Sequence, residues 1–250
     1  MRLLLFLSLA VFSLAGSCCF SAKARAGLAS FVADAVQVEP GKNVRRGRLY
    51  VSERGTRFEF TQNGQKVIQI VQPSRGLFRL LFPATKTYFE VKYTPRAAFG
   101  KHGTKVPCVP MKGFFCRRTG QIKTGRAVLE QWLIGTKKKR AITALWDPSR
   151  HMFVQKIYPD GSKMVALMNG VINFEGRRVE RWKTTVTMIS GLRQNSYMLF
   201  APDLGYPVVE QRDFGSRREL HNIKNHKADA HLYAIPADYR KAELPPKNTK

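Results

Sequence analysis

The sequence predicts a mainly β protein, in which one curved antiparallel sheet forms an incomplete, half-open β-barrel of about eleven strands. Two observations predict this class. Between residues 48 and 92, short apolar runs alternate with turn residues, and no helical periodicity appears. From Thr119 onward, similar short runs recur between further Gly- and Pro-containing turns.

The first stretch contains five candidate strands, at 48–51, 57–61, 67–71, 78–82 and 88–92. Gly55, Asn63-Gly64, Gly76 and Pro83 lie between them, where the backbone has to reverse. Residues 57–61 alternate polar and apolar side chains, which places Phe58 and Phe60 on one face. We therefore expect an antiparallel meander with one apolar face.

Two segments flank this meander. Residues 28–36 place Leu28, Phe31, Val32 and Ala35 at helical spacing, which predicts a short N-terminal helix. Residues 92–120 combine Pro, Gly and cations with many apolar side chains. A segment of this length without regular structure favours a lid over the open side of the sheet, with a plain surface excursion as the alternative.

The second half repeats itself loosely. The run 125–132, which ends at Trp132, resembles 176–182, which ends at Trp182, and an aromatic strand with a proline turn follows each. Hairpin turns are expected at 160–162 and 214–216. We interpret 121–170 and 171–224 as tandem meander units within a single domain, 27–250.

The first 26 residues match an export signal. A charged start is followed by an apolar run at 3–15 and by two A-x-A sites, which predicts cleavage after Ala26 and a periplasmic or secreted protein. A retained membrane anchor is the alternative. An outer-membrane lipoprotein modified at Cys18 is less favoured, because Ala15 lies where a larger aliphatic residue is usual.

The chain is strongly basic, with 43 Lys and Arg against 17 Asp and Glu and a formal net charge of +26. Such a surface attracts polyanions. For an exported protein, an anionic membrane surface or a polysaccharide is the expected partner, and nucleic acid is unlikely. A solvated basic surface without a specific partner explains the same charge.

Cys108 and Cys116 are the two cysteines of the expected mature chain. An even pair this close in an oxidising compartment predicts a disulfide, which would stabilise the fold by roughly 2–3 kcal/mol. Redox or metal chemistry is not expected, since the spacing is not C-x-x-C and the loop has no histidine.

Three turn motifs lie at 146–148 (Trp-Asp-Pro), 202–207 (with Gly-Tyr-Pro) and 236–240 (Pro-x-x-Tyr-Arg), and the opening strand follows Gly47. With these motifs the chain resembles the LolA/LolB-like superfamily of periplasmic outer-membrane lipoprotein carriers. The resemblance implies an incomplete β-barrel with an apolar hollow for acyl chains. The basic charge, the cysteine loop and the scarcity of helix depart from the carriers, so the cargo, receptor and release mechanism are not carried over.

Catalytic motifs are not evident in the sequence. It contains no G-x-S-x-G, H-E-x-x-H, P-loop or dinucleotide-binding turn. His221, His226 and His231 are five residues apart, a spacing that does not favour a metal site. The sequence therefore predicts a non-enzymatic protein, a monomer with no cofactor and no metal.

The predicted strands also contain many apolar residues, more than a single sheet without a second layer would be expected to bury. We predict that a lipid-binding hollow is lined by residues at alternating or matching strand positions: Leu49, Val51, Phe58, Phe60, Ile68, Ile70, Phe78, Leu80, Trp132, Trp146 and Trp182. An ordinary core role is the alternative for each of them. The leading hypothesis is an exported carrier or chaperone for lipid or lipidated protein. The alternative is a basic envelope protein, structural or adhesive, that binds an anionic polymer or membrane surface.

Overall fold

A computed structural model describes residues 28–42, 44–92, 107–108, 114–125, 127–136, 141–212, 214–227 and 229–243. The expected signal peptide, 1–26, lies outside the described residues, as does most of the expected lid. In the part of the chain that is described, no helix is long and apolar enough to cross a membrane.

Within the described residues, sixteen strands form one open, curved sheet. They are β1 (Phe31–Val38), β2 (Arg45–Ser52), β3 (Gly55–Gln62), β4 (Gln65–Gln72), β5 (Leu77–Phe82), β6 (Thr87–Lys92), β7 (Phe114–Thr124), β8 (Ala127–Thr136), β9 (Ile142–Asp147), β10 (Met152–Ile157), β11 (Lys163–Phe174), β12 (Arg177–Thr187), β13 (Arg193–Ala201), β14 (Tyr206–Arg212), β15 (Arg217–Asn225) and β16 (Arg240–Lys241). The order across the sheet is β16-β6-β5-β4-β3-β2-β1-β15-β14-β13-β12-β11-β10-β9-β8-β7. Neighbouring strands pair antiparallel, except that β16 pairs parallel to β6. The mainly β, antiparallel prediction is confirmed.

The predicted N-terminal helix at 28–36 is wrong, because this segment forms strand β1. It pairs with β2 on one side and with β15 on the other. Phe31 and Ala33 are buried and lie opposite Val51 and Leu49. A short apolar run satisfies helical and strand spacing equally well, and here the two long-range partners decide the outcome.

The count of about eleven strands is also wrong. The additional strands include β1, β7 and the two-residue β16. Strand β7 begins at Phe114, so the end of the segment expected to be an irregular lid at 92–120 is regular β structure. The cations and the glycine in 117–120 obscured this strand in the sequence, since several of its side chains are solvent-exposed.

Two faces of the sheet at β2–β5 matter for function. We call the face that carries Leu49, Phe58, Phe60 and Val67 the core face, because these side chains join one buried cluster with residues of β1, β12, β13, β14 and β15. We call the opposite face, with Ile68, Ile70 and Leu81, the tail face, because the C-terminal segment covers it.

The C-terminal segment is held against the tail face by polar contacts. A 3-10 turn at Ala230–Tyr233 buries Tyr233, whose hydroxyl accepts a hydrogen bond from Ser52 Oγ at 2.9 Å. Arg57 donates to the carbonyl of Leu232 at 2.8 Å. Arg240 N–H donates to the carbonyl of Lys86 at 2.8 Å, which begins the short β16 ladder. The Pro-x-x-Tyr-Arg motif therefore leads into β16, which pairs with β6.

Candidate functional site

The eleven predicted lining residues do not form one surface. The structure distributes them over the core face, the tail face and two further clusters between β7 and β14. The four locations differ in how much of the apolar surface is already covered by the chain itself. Their role in lipid binding stays a prediction, and the geometry of each location decides how a ligand could reach it.

The first location is the closed part of the core face. Leu49, Val51, Phe58 and Phe60 are at most 7% exposed and pack in the largest buried cluster. The rings of Phe58 and Phe60 stack at 4.9 Å between centroids. Since the protein's own side chains fill this region, a hydrocarbon tail would have to displace them, and we regard these four residues as core.

The same face remains partly open at β5 and β6. Leu80 lies opposite Phe89, and Phe82 contacts Phe89 edge to face at 5.7 Å. Phe78, Leu80, Phe82 and Phe89 are each partly exposed, whereas the intervening Leu77, Arg79 and Leu81 on the tail face are buried. Leu80 and Phe82 also pack against the core cluster. We call these four residues the β5–β6 strip.

The second location is the tail face. Ile68 and Ile70 are buried there with Leu81, beneath Tyr233 and beside Tyr239. Alternation along β4 placed both isoleucines on the face opposite Phe58, so they cannot share a hollow with it. No local pattern in the sequence predicts that the C-terminal segment covers them.

The third location surrounds the disulfide. Cys108 and Cys116 are bonded, with their Cα atoms 6.0 Å apart. Trp146 is fully buried and contacts Phe153 edge to face at 5.0 Å, while Trp132 packs at the margin of the same cluster. This cluster is small and closed, and the disulfide contributes to it directly.

The fourth location holds Trp182 above an ionic network that the sequence reasoning missed. Arg150 forms a two-pronged ion pair with Glu180 at 2.7 Å and a further bond to Asp147 at 2.7 Å. Trp182 Nε1 donates to Glu180 at 3.0 Å, and the Arg150 guanidinium lies over the Trp182 ring. Glu180 is a buried carboxylate, with 8% of its surface exposed. The hydrogen bonds that Arg150 donates to Glu180 raise the pKa of Arg150 above its ordinary value.

Each of the two predicted tandem units contains a Glu-x-Trp sequence, and the two sequences form the same side-chain hydrogen bond. Trp132 Nε1 donates to Glu130 at 3.0 Å, as Trp182 does to Glu180. Glu130 lies opposite Trp146, and Glu180 lies opposite Phe200. The tandem-unit interpretation stays a prediction, and these matched contacts favour it.

Lys156 is a desolvated cation at the edge of this region. Its ammonium lies 4.1 Å from the centroid of the Phe153 ring, and Met164 lies directly across from it. A cavity of about 170 Å³ is lined by Lys156, Met164 and Met198, among other residues. Among the described residues, no carboxylate forms an ion pair with Lys156. Burial lowers the pKa of Lys156 from 10.5 to about 8.

This pKa predicts an unusual pH dependence of stability. Between pH 8 and pH 10.5 the unfolded chain keeps a proton on Lys156 that the folded chain has lost, so the folded state gains stability as the pH rises through this window. Replacing Lys156→Met is expected to stabilise the protein by about 2 kcal/mol at pH 7. Urea denaturation at pH 7 and pH 10 should show this gain shrinking at the higher pH. A gain equal at both pH values would contradict the assignment.

Metal and acid–base sites are not evident. The described residues contain no group of three His, Cys, Asp or Glu side chains placed to hold a metal ion. His221 instead pairs with Glu175 and Glu219, and the hydrogen bond to Glu175 raises its pKa. A cavity of about 730 Å³ nearby is lined by Val171 and residues 175–180 of the β11–β12 hairpin, together with Pro202 and Asp203.

Comparison with known proteins gives structural neighbours only. No family model and no curated protein matches the chain. Similar solved structures include a putative outer membrane lipoprotein-sorting protein domain from Vibrio parahaemolyticus, with 10% identity over 84% of this chain and 91% of that chain and a TM-score of 0.37. A LolA superfamily protein from Nitrosomonas europaea has 8% identity over 84% and 91% and a TM-score of 0.35. A DUF1329 family protein from Desulfovibrio piger has 10% identity over 84% and 90% and a TM-score of 0.36.

The superfamily that the turn motifs resemble is thus among the structural neighbours.

Proposed function

We propose that this protein is an exported, periplasmic, non-enzymatic carrier or chaperone that holds an acyl chain of a lipid or lipidated protein on the β5–β6 strip. The observation that carries the proposal is the exposure pattern of β5. Its apolar residues on the core face, Phe78, Leu80 and Phe82, are partly exposed, although this face is buried at β3 and β2, two and three strands further along the sheet.

An apolar surface that adjoins a closed core and remains partly open is typical of a binding site for apolar ligands. Phe89 on β6 widens the strip by one strand, and Phe82 contacts it. Each methylene that leaves water contributes about 0.8 kcal/mol, so an acyl chain binds here without a polar recognition code. Leu80 and Phe82 pack against the closed cluster around Phe58, so the strip is continuous with the buried core.

Native mass spectrometry of the exported, gently purified protein tests this proposal. We expect a bound lipid, and we expect the protein to take up a fluorescent fatty acid. The double variant Leu80→Gln/Phe89→Gln should weaken binding of the probe by about tenfold or more, since both side chains lie on the strip. The matched control Ile122→Gln/Val128→Gln changes two exposed apolar residues of β7 and β8 and should bind the probe as the parent does. A clean unliganded mass together with no probe uptake would refute the proposal.

A further inference from the structure

Three neighbouring hairpins end in turns closed by the same backbone hydrogen bond, although the β14–β15 turn differs in that Phe214 also has a positive φ of 61°. In each turn, the N–H of the first residue donates to the carbonyl of the fifth at 2.9 Å, and the pairs are Tyr158 to Ser162, Met188 to Leu192, and Arg212 to Ser216. The fourth position is a glycine with positive φ in all three, namely Gly161, Gly191 and Gly215. Because β10 to β15 are consecutive in the sheet, these turns lie side by side at one end, about 10 Å apart.

The side chains at the three tips differ in a way that the backbone does not require. The β10–β11 turn carries Pro159 and Asp160. The β12–β13 turn exposes 79% of Ile189 and 56% of Leu192, and the β14–β15 turn exposes 79% of Phe214. The first turn closes with the same hydrogen bond without an apolar tip, so this bond does not require the exposed apolar side chains of the other two turns. We call Ile189, Leu192 and Phe214 the apolar tips.

Exposed cations lie immediately behind the apolar tips. Lys163 and Arg193 both lie opposite Thr187, and Arg212 lies opposite Ser196 on the next pair of strands. None of these three cations forms an ion pair with another residue that the structure describes. The end of the sheet therefore presents apolar side chains outermost, and one row behind them lie positive charges that have no ion-pair partner among the described residues.

We propose that this end of the sheet docks onto an anionic lipid bilayer, with the apolar tips inserted among the acyl chains and the cations at the headgroups. A lipid surface is the occupant that matches both layers: its apolar interior accepts Ile189, Leu192 and Phe214, and its phosphates pair with Lys163, Arg193 and Arg212. A soluble polyanion would satisfy the cations alone. The proposal adds a membrane-docking surface to the carrier function, and it stands if the β5–β6 strip binds no lipid.

Vesicle flotation of the full chain tests the docking surface. The tip variant Ile189→Pro/Leu192→Ser/Phe214→Asn keeps the net charge, retains every turn glycine and gives the β12–β13 turn the proline and serine of the β10–β11 turn. Its binding to phosphatidylcholine vesicles that contain phosphatidylglycerol should fall by about tenfold or more. The control Leu167→Ser/Val171→Ser/Ile172→Thr removes exposed apolar residues from the middle of β11 and should change binding by less than about twofold.

Two further measurements separate a lipid surface from other occupants. Ile189→Trp should shift its fluorescence to shorter wavelength with these vesicles, while heparin should leave its emission unchanged. The unfolding midpoint of the tip variant should not fall below that of the parent, because the altered side chains are exposed and asparagine tolerates the positive φ of position 214 better than phenylalanine does. The proposal fails if the tip variant binds vesicles as the parent does. It also fails if the parent does not bind vesicles but forms a dimer that the tip variant loses in sedimentation experiments.

Discussion

Replacing Phe58 with alanine is expected to lower the free energy of unfolding by about 4 kcal/mol, because the ring is 7% exposed and stacks on Phe60 within the largest buried cluster. Removing it leaves a cavity that the paired strands on either side cannot close. Urea denaturation at neutral pH measures this loss.

Phe78→Ala is the matched control, since Phe78 lies on the same face but is only partly covered. It should lower the free energy of unfolding by about 1–2 kcal/mol and should also weaken binding of a fatty acid probe. Equal losses for the two variants would mean that the β5–β6 strip belongs to the packed core and is not a ligand surface.

The second large effect is expected at the buried ionic network. Arg150→Met removes the only cation that the described residues bring to both Glu180 and Asp147, and it leaves two buried carboxylates without a counter-charge. Breaking such a pair from one side typically costs about 3–5 kcal/mol. Because the Arg150 side chain is itself 25% exposed, we expect Arg150→Met to lower the free energy of unfolding by about 3 kcal/mol, at the low end of this range.

Arg177→Met is the control for this prediction. Arg177 pairs with Asp203, whose side chain is 55% exposed, so its loss should cost less than about 1 kcal/mol. Chemical denaturation of both variants measures the difference. The triple variant Arg150→Met/Glu180→Gln/Asp147→Asn should recover part of the lost stability, because it leaves no buried unpaired charge. No recovery would mean that packing of the Arg150 stem above Trp182, and not charge, accounts for the loss.

The hairpins were predictable because their signals are local. Asn63 and Gly64 both adopt positive φ, as a two-residue hairpin turn requires, and they are adjacent in sequence. The turns at 160–162 and 214–216 lie where the sequence placed them, between β10 and β11 and between β14 and β15. The five strands predicted within 48–92 are present. Each begins one to three residues before its predicted start, and each ends at its predicted end or one residue after it.

The site was less predictable, because apolarity along a strand does not reveal what covers each face. Ile70 and Phe58 have the same hydrophobic signal, yet one is covered by the C-terminal segment more than 150 residues later and the other by residues of β12 to β15. The ionic network was missed for a similar reason: Arg150 and Glu180 are separated by 30 residues and meet across the sheet.

The sequence by itself determined that this chain folds into antiparallel hairpins with a strongly basic surface, since alternation, turn residues and charge are properties of neighbouring residues. Only the tertiary structure decided that residues 31–38 form a central strand, that Phe58 is core while Leu80 remains partly open, and that Ile189 and Phe214 stand exposed at one end. Those outcomes depend on which distant strands pair and on which distant segments cover each face of the sheet. A local sequence pattern determines neither the pairing nor the covering.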